Sequence, residues 1–452
     1  MKTLQLELRL ALHSRLAAGA LILLLLLTAL AVWSGLHAIS NQRDALARIA
    51  AVQRDDVAAV AEKYRDGGEA GYAAYSTPHL TVNPPAPLAF AAIGQRDVQP
   101  YALRVRLLGL HSQLYESESI NPELAAAGRF DFAFVLVYLA PLFVIALMHD
   151  LVAGEREAGR LRLVDSLPAP GARLWRRRIA LRYGLVLAAL LLPFAFGAAS
   201  GDAGLAATAL VALGAALYLA FWFGIAAAVA ALVRTSAAGA AVLLAVFVVL
   251  TLVLPTFVNG AIGRAVPVSK GAELALAQRQ EVHNGWDLPK GETMAKFFRT
   301  NAAWRDTAPV TGRFHWKWYY AMHQAGDDAV AGRAGDYRAA LTAREDWTRR
   351  SGWLLPSVAV QVLLHRLADT DLESQLAYQD RIAAFHTVLR RFYYPYIFND
   401  RPFGPAEFAQ LPAYAARAGG GGVAAPALGA LGILAIAGLA AGAFRLRRVR
   451  AL

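Results

Sequence analysis

The stretch FDFAFVLVYLAPLFVIALMHD (130–150), followed by LVAGEREAGRLRLVDSLPAPGARLWRRR (151–178), decides the fold of this chain. Its first part is about twenty mostly apolar residues, which is enough to cross a bilayer as a helix. Its second part is short, charged and amphipathic, and another apolar run begins at Ile179. The pattern predicts a membrane span, a charged loop and a second span.

The composition of the whole chain extends this prediction. Hydrophobic residues make up 57% of the 452 residues and charged residues 17%, and the apolar residues are clustered. This distribution is typical of an integral membrane protein. The chain has no cysteine, which excludes disulfides and thiolate metal sites.

Six apolar runs are long enough to span a membrane, and two long insertions separate them. We therefore predict an all-α polytopic membrane protein whose mainly helical extracytoplasmic domain is built from the two insertions. The predicted spans are 17–36, 130–148, 179–198, 204–233, 237–258 and 423–444, and the insertions are 37–129 and 259–422. A cytoplasmic interfacial helix (1–16), a cytoplasmic segment (149–178) and a cytoplasmic tail (445–452) complete the chain.

The first apolar run has a second interpretation. A basic leader precedes it, as in a cleaved signal peptide. The run is longer than the usual apolar region of such a peptide, and its leader is also long. These features favour a retained anchor.

The net charge of +12 is concentrated beside the spans. Residues 1–15, 150–182, 234 and 445–450 hold 16 Lys and Arg against five Asp and Glu, whereas the rest holds 29 against 28. Cytoplasmic loops of membrane proteins carry such an excess of positive charge. The distribution predicts that both chain ends are cytoplasmic, and it gives no support to nucleic-acid binding.

The two insertions differ in pattern. The first continues span one as a helix, is then broken by Gly and Pro, and carries a strand signal at Tyr101–Leu107. The second is mainly helical, with a predicted long helix over Val358–Tyr394. The insertions are expected to form one domain if spans one and six are neighbours.

Several kinds of chemistry have no sequence signature here. There is no GxxxxGK[ST] motif for ATP and no HExxH motif for zinc, and no catalytic residue is predicted. The span interiors lack Asp, Glu, Lys and Arg, which argues against ion-coupled transport. His315 and His323 lie among aromatic residues, where structural roles are favoured over a metal site. Pro141 and Pro255 lie within spans and are predicted bend points.

The charged loop carries a family pattern. The segment EREAGRLRLVDSLP (155–168) resembles the loop after the second span of ABC-2-type ABC transporter permeases, roughly E-x-E-x-G-T-L-x-L-L-x-S-x-P. Arg160 replaces the usual Thr, and Asp165 replaces an apolar residue. The resemblance places these residues at family positions: Glu155, Glu157, Gly159, Leu161, Leu163, Ser166 and Pro168.

Other segments sharpen the resemblance. NPPAPLAFAAIGQRDVQPY (83–101), FDFAFVLVYLAPLFVIAL (130–147) and RRFYYPYIFNDRPFGPAEFAQLPAY (390–414) are similar to a permease subfamily with a large extracytoplasmic insert of uncharacterised function. The resemblance implies a non-catalytic permease of a bacterial cytoplasmic (inner) membrane, usually an exporter or an extractor from the outer leaflet.

The same resemblance implies the partners. The loop would be a coupling helix that docks on a separate ABC ATPase, present in two copies. A second permease subunit, as homodimer or sibling heterodimer, would complete the transporter in the membrane lipid. No cofactor is implied for this chain, since ATP and Mg would be bound by the ATPase.

Physical chemistry suggests how such docking would work. A helix from about Asp150 to Leu163 can bury apolar side chains in a partner, namely Leu151, Val152, Leu161 and Leu163. A row of arginines can then face anionic lipid headgroups, each worth on the order of 1 kcal/mol. These are Arg173, Arg176, Arg177 and Arg178.

Two other classes of function remain open at this point. A membrane-anchored receptor or scaffold would explain the large aromatic outer region without an ATPase. An intramembrane or outward-facing enzyme is disfavoured by the missing motifs. Aromatic clusters at Trp316, Trp318, Tyr319 and Tyr320, and at Phe392–Tyr396, would either receive a lipid, peptide or siderophore-like ligand or form the core of a helical domain.

Overall fold

The computed structural model describes residues 7, 14–115, 128–161, 163, 171–416 and 424–449. The described chain is mainly helical, and its strands form only two small two-stranded sheets. Six helices are long and apolar enough to cross a membrane. The prediction of a helical protein with six spans is confirmed.

The spans have these bounds in the structure. Span one is Arg15–Lys63, span three is Gly171–Ser200, span four is Leu205–Leu232 and span six is Ala425–Leu446. Spans two and five each contain a π-helical turn. Span two consists of Phe132–Phe134, the π turn Val135–Leu139 and Ala140–Met148; span five consists of Ser236–Phe247, the π turn Val248–Val253 and Leu254–Ala265.

Glycines set the closest helix contact of the bundle, between spans four and six. A Cβ on Gly224 would lie 2.2 Å from the carbonyl carbon of Gly438, and one on Gly442 would lie 2.7 Å from the carbonyl oxygen of Gly224. Small residues let helices approach closely in lipid, where apolar surface alone does not drive association. The GxxxG spacing of Gly438 and Gly442 in span six is therefore used for packing within this chain.

Span one extends far beyond the bundle. Its helix has 49 residues, and a rise of 1.5 Å per residue makes it about 74 Å long, against about 30 Å for the hydrocarbon core of a bilayer. Within the bundle it packs mainly on spans two and three, whereas span six packs mainly on span four. The expected pairing of spans one and six is therefore not the main contact of either helix.

The two insertions nevertheless pack together. Strand β1 (Gly68–Glu69) of the first pairs antiparallel with β4 (Pro402–Phe403) of the second. Within the first insertion, β2 (His79–Val82) pairs antiparallel with β3 (Ala102–Val105), which confirms the strand signal near Tyr101–Leu107. The Tyr320 hydroxyl donates to the Gly71 carbonyl oxygen at 2.9 Å and joins the insertions again.

Nine short or medium helices accompany the spans in the described chain. Seven of these pack into what we call the insert domain, which consists of residues 64–85, 94–115, 266–355 and 368–416. The helices are α1 (Ala70–Ser76), α2 (Leu110–Tyr115), α3 (Ala153–Glu157), α4 (Gly271–Asp287), α5 (Lys290–Thr300), α6 (Trp316–Ser351), α7 (Pro356–Leu367), α8 (Leu372–Phe398) and α9 (Pro405–Phe408).

The predicted helix over Val358–Tyr394 is wrong, because the chain turns between α7 and α8. Asp369 adopts φ +56°, in the left-handed region, and ends the first helix. Asp371 then begins the second, since its side chain accepts a hydrogen bond from the Ser374 amide at 3.0 Å. An Asp at this position satisfies an amide that the helix itself leaves unpaired.

Helix α7 packs within the membrane bundle and not within the insert domain. Ala359, Val360 and Leu363 are at most 2% exposed and belong to the apolar core formed by the spans. A Cβ on Gly214 of span four would lie 2.2 Å from Leu363 Cδ2. The second insertion therefore contributes one helix to the bundle, a feature that the sequence prediction missed.

The first insertion also reaches into the bundle, through Leu88–Ile93. Phe90 is 1% exposed. A Cβ on Gly35 of span one would lie only 2.0 Å from the carbonyl oxygen of Phe90, and a Cβ on Gly197 of span three would lie 2.7 Å from Cε2 of the Phe90 ring. Both glycines therefore make room for Phe90. We call the end of the bundle that holds this segment the domain face, and the opposite end the loop face.

Candidate functional site

The loop face holds the segment with the family pattern. Helix α3 (Ala153–Glu157) follows span two, and the chain leaves it through Gly159 at φ +70°. This left-handed conformation is costly for residues with a Cβ and is typical of the residue that ends a helix. The glycine of the pattern is therefore explained by backbone geometry.

Glu155 connects the segment to span three. One of its oxygens accepts a hydrogen bond from Arg178 Nη1 of span three at 2.8 Å, and the other accepts from Arg160 Nε at 2.7 Å. The side chain of Glu155 is only 13% exposed. Charged hydrogen bonds of this kind are roughly twice as strong as neutral ones.

Arg156 and Glu157 connect the segment to the ends of two further spans. Arg156 Nη1 donates to the Val233 carbonyl oxygen, at the end of span four, at 3.1 Å. Glu157 accepts from both the amide and the hydroxyl of Ser236, at the start of span five, at 2.8 Å each. A cation at the last carbonyls of a helix and an anion at its first amides both interact favourably with the helix dipole.

Three consecutive residues thus contact three different spans. The sequence prediction identified Glu155 and Glu157 but placed neither contact, and it missed Arg156. A signal was present in the chain, since Thr235–Ser236 immediately precedes span five and residues of this type favour helix starts. The partner of that helix start, 79 residues earlier in the chain, was not readable from the sequence.

The predicted apolar docking surface is largely wrong. Leu151, Val152 and Leu161 are at most 4% exposed and pack in the core of the chain itself, so they are not available to a partner. Leu163 alone of the four is exposed, at 67%. The described surface open to a partner consists of Glu157–Arg160 together with Leu163.

The predicted row of lipid-facing arginines needs one correction. Arg178 is 20% exposed and forms ion pairs with Glu155 and, at 3.4 Å, with Glu7. Its guanidinium also lies 5.5 Å from the ring centre of the buried Trp175. Arg178 is therefore part of the packed segment, whereas Arg173, Arg176 and Arg177 are exposed.

Some predicted positions lie outside the described residues. These are Ser166, Pro168 and Asp165 of the family pattern, and the interfacial helix 1–16 except for Glu7 and Ser14–Leu16. The predicted helix from about Asp150 to Leu163 is interrupted in the described part by the turn at Gly159, because that residue leaves the helical conformation.

Pro141 lies immediately after the π turn of span two. Proline has no amide hydrogen and leaves a carbonyl of the preceding turn without its helical partner. The carbonyl oxygen of Val137, four residues earlier, accepts a hydrogen bond from the hydroxyl of Tyr218 in span four at 2.9 Å. The backbone group that the proline frees is thus satisfied by a neighbouring span.

Pro255 lies in a similar but not identical arrangement in span five. It follows the π turn Val248–Val253, and the carbonyl oxygen of Leu250, five residues earlier, accepts from the hydroxyl of Ser357 in α7 at 3.3 Å. Five residues is the hydrogen-bond spacing of a π turn. Whether either proline bends its span during function stays a prediction.

The aromatic clusters of the insert domain divide between core and surface. Trp318, Tyr320, Tyr393 and Tyr394 are at most 4% exposed, as expected for a core. Trp316 and Tyr319 instead lie within a half-exposed group of rings that the sequence did not predict as a unit. The exposed members are Tyr72, Tyr75, Trp286 and Phe314, between 37% and 49% exposed.

The two histidines considered for metal binding have structural contacts. Nδ1 of His315 accepts from the Lys317 amide at the start of α6, and Nδ1 of His323 accepts from the Gly109 amide at 3.2 Å. Burial lowers the pKa of His323 to about 4, so that it is neutral at neutral pH. Among the described residues, no group of three or more His, Asp or Glu is arranged to hold a metal ion.

Two family models match the chain. One, described as ABC-2 family transporter protein, covers residues 1–300 of the 452. The other, described as a domain of unknown function (DUF3526), covers residues 272–417, which include most of the insert domain's second half and α7. No curated protein and no solved structure matches the chain.

Proposed function

The chain belongs to the ABC-2 transporter family, and we propose that it is a permease subunit driven by a separate ATPase that binds the loop face. Family membership makes it a multi-pass component of membrane transport and not a catalytic subunit. Permeases of this family work with ABC ATPase partners. The match favours transport over the receptor or scaffold and over the enzyme.

Charge supports the orientation of the proposed transporter. The predicted cytoplasmic segments carry nearly all of the net positive charge, 16 Lys and Arg against five Asp and Glu. By the positive-inside rule, the loop face is cytoplasmic and the insert domain lies outside the cytoplasmic membrane. An ATPase in the bacterial cytoplasm would then reach Glu157–Arg160 and Leu163.

The observation that carries the proposal is the contact of Glu155, Arg156 and Glu157 with spans three, four and five. A force applied to the exposed residues beside them is transmitted to three helix ends at once. Because these contacts are charged hydrogen bonds to backbone or ionic groups, they resist separation more than neutral ones. The segment is thus built to convert docking at one point into movement of several spans.

The proposed transporter contains two such chains, or this chain and a sibling, with two ATPases. ATP and Mg would be bound by the ATPases, and this chain needs no cofactor of its own. Movement of the loop face would shift spans two and five about Pro141 and Pro255 and open a path between the permease subunits. The proposed direction is export or extraction from the outer leaflet.

Site-specific crosslinking tests where the ATPase binds. The chain has no cysteine, so a single Arg160→Cys carries the only thiol of the permease. A photoreactive maleimide on this residue should capture the ATPase in membranes that contain both proteins. The same label on Asp336→Cys, which is exposed in the insert domain, should not. Capture from both positions or from neither contradicts the proposed docking site.

A substitution pair tests coupling. Glu157→Gln keeps the shape of the side chain but removes the charge that holds Ser236 at the start of span five. We expect a several-fold lower ATPase rate in the assembled complex, with normal insertion in the membrane. Glu62→Gln, which alters an exposed ion pair on the helix of span one, is the matched control. Equal ATPase rates in both variants would show that Glu157 does not contribute to coupling between the permease and the ATPase.

A further inference from the structure

Helix α7 contacts the spans in two different ways. Its apolar side is packed tightly on spans four and six, and among the described residues one hydrogen bond from its polar side reaches each of spans two and five. These two bonds lie at the two π turns. The contact of α7 with spans four and six is also more extensive than its contact with either π turn. This contrast indicates which neighbours are fixed to α7 and which can move against it.

The contact with span four is close and apolar. Leu363 is fully buried and occupies the space that a side chain on Gly214 would need. Leu431 of span six is also fully buried in the same core. Close-packed apolar contacts of this kind are costly to open, because an opened contact leaves a cavity. Helix α7 and spans four and six therefore form one unit.

A polar contact joins α7 to span two. Gln361 Nε2 of α7 donates to the hydroxyl of Tyr138, within the π turn before Pro141, at 3.1 Å. Both side chains line a cavity of about 300 Å³ at the domain face, together with Gly94, Gln95 and Asp97. The bond therefore lies beside open space and not within the packed core.

A polar contact also joins α7 to span five. The Ser357 hydroxyl reaches the Leu250 carbonyl oxygen at 3.3 Å, a long distance for this kind of bond. Nearby, the buried hydroxyl of Thr251 and the indole nitrogen of Trp222 in span four lie beside the Tyr218 hydroxyl without forming a well-aligned hydrogen bond to it. The polar contacts that hold the π turn of span five are therefore weak.

Helix α7 is also joined to the insert domain at its other end. The Thr370 hydroxyl donates to the Ala92 carbonyl oxygen at 2.8 Å, and the Gln95 amide donates to the Thr370 carbonyl oxygen at 2.9 Å. Gly94 adopts φ +51°, and a Cβ there would lie 2.7 Å from that same carbonyl oxygen. The turn after α7 is thus held by residues of both insertions.

We propose that α7 connects the insert domain to spans two and five, with Gln361 and Ser357 as positioning residues for the π turns of these spans. A ligand or partner that shifts the insert domain would shift α7, and the two spans would change state with it. Conversely, movement of these spans during the ATPase cycle would be transmitted to the insert domain. The proposal rests on the proposed transport function.

Paired cysteines test this proposal in the assembled complex. A reversible bifunctional thiol reagent that bridges Tyr138→Cys and Gln361→Cys should lower the ATPase rate about tenfold, because it prevents the movement of span two that the cycle requires. Reduction should restore the rate. The matched pair is Trp353→Cys with Gly429→Cys, two exposed positions in contact, in which the turn before α7 is bridged to span six. We expect bridging of this pair to leave the rate within about twofold. Equal effects of the two bridges, or no effect of the first, would overturn the proposal.

Spin-label distances provide a test that does not depend on the ATPase. Leu354, immediately before α7, is 79% exposed, Phe257 of span five is 72% exposed and Ile436 of span six is 69% exposed. Labels on Leu354→Cys and Phe257→Cys should show a broad distance distribution, and labels on Leu354→Cys and Ile436→Cys a narrow one. Equal widths contradict the α7 proposal. Failure of any ATPase to bind the chain would instead contradict the proposed function and leave this distance test valid.

Discussion

The two proline-associated π turns are the same motif in different surroundings. In span two, Val135, Leu136 and Val137 are fully buried. In span five, only Thr251 of the turn is buried, and Val249, Leu252 and Val253 are 38% to 45% exposed. The turn in span two is enclosed by this chain, whereas the turn in span five lies at its surface.

The hydrogen bonds follow the same division. The freed carbonyl of span two accepts a bond of 2.9 Å from Tyr218, which is fully buried. In span five, the Leu250 carbonyl, one position further from its proline, accepts a bond of 3.3 Å from Ser357 of α7. The turn before a proline in a span can therefore be held firmly or weakly, depending on which group donates a hydrogen bond to the carbonyl that the proline leaves free.

The largest expected effect is on thiol labelling. Val137→Cys, at a fully buried position, should react at least about tenfold more slowly with a maleimide than Phe257→Cys, because the opening of a packed core limits its reaction. If a second permease subunit covers span five, labelling of Phe257→Cys should fall in the assembled complex. Phe196→Cys, which is 70% exposed on span three, is the reference position. Rapid labelling of Val137→Cys would show that the π turn of span two is as accessible as the π turn of span five.

The next effect is on stability, at the enclosed turn. Tyr218→Phe removes the donor to Val137 and leaves a carbonyl unpaired in an apolar core. We expect a loss of about 1–2 kcal/mol, between the average for hydrogen bonds in membrane proteins and that for a stranded buried group. Thermal unfolding in detergent measures it. An unchanged melting temperature would show that the turn of span two does not depend on this bond.

A smaller effect of opposite sign is expected at Thr251. Thr251→Val replaces a buried hydroxyl, which lies beside the Tyr218 hydroxyl without a well-aligned hydrogen bond to it, by a methyl group of similar size. We expect a gain of up to about 1 kcal/mol in the same unfolding assay, since the cost of burying that hydroxyl is removed. A clear loss of stability would mean that Thr251 already has a partner.

The smallest effect is expected at Ser357. Ser357→Ala removes the long bond to Leu250 and should cost about 0.5 kcal/mol or less, because weak hydrogen bonds between helices in membranes contribute little net stability. Its unfolding can be compared directly with that of Tyr218→Phe. A loss equal to that of Tyr218→Phe would show that the two turns are held equally firmly.

The sequence by itself determined the class of the molecule. Apolar runs of span length, the excess of Lys and Arg beside them and the pattern from Glu155 to Pro168 are local features. A local feature needs no knowledge of distant residues, because the bilayer thickness sets the helix length and the helix period sets the spacing. The six helices and the family followed from these features. The strand near Tyr101–Leu107 was also predicted from the sequence, because the alternation of apolar and polar residues along a strand is a local feature.

The tertiary structure decided what each of these residues contacts. Glu157 meets Ser236 across 79 residues of sequence, and Tyr218 meets Val137 across 81. The apolar pattern of Leu151, Val152 and Leu161 predicted burial correctly but not its place, since apolar surface is buried equally well by the chain itself or by a partner. For the same reason α7 resembled a domain helix in sequence and proved to be part of the bundle.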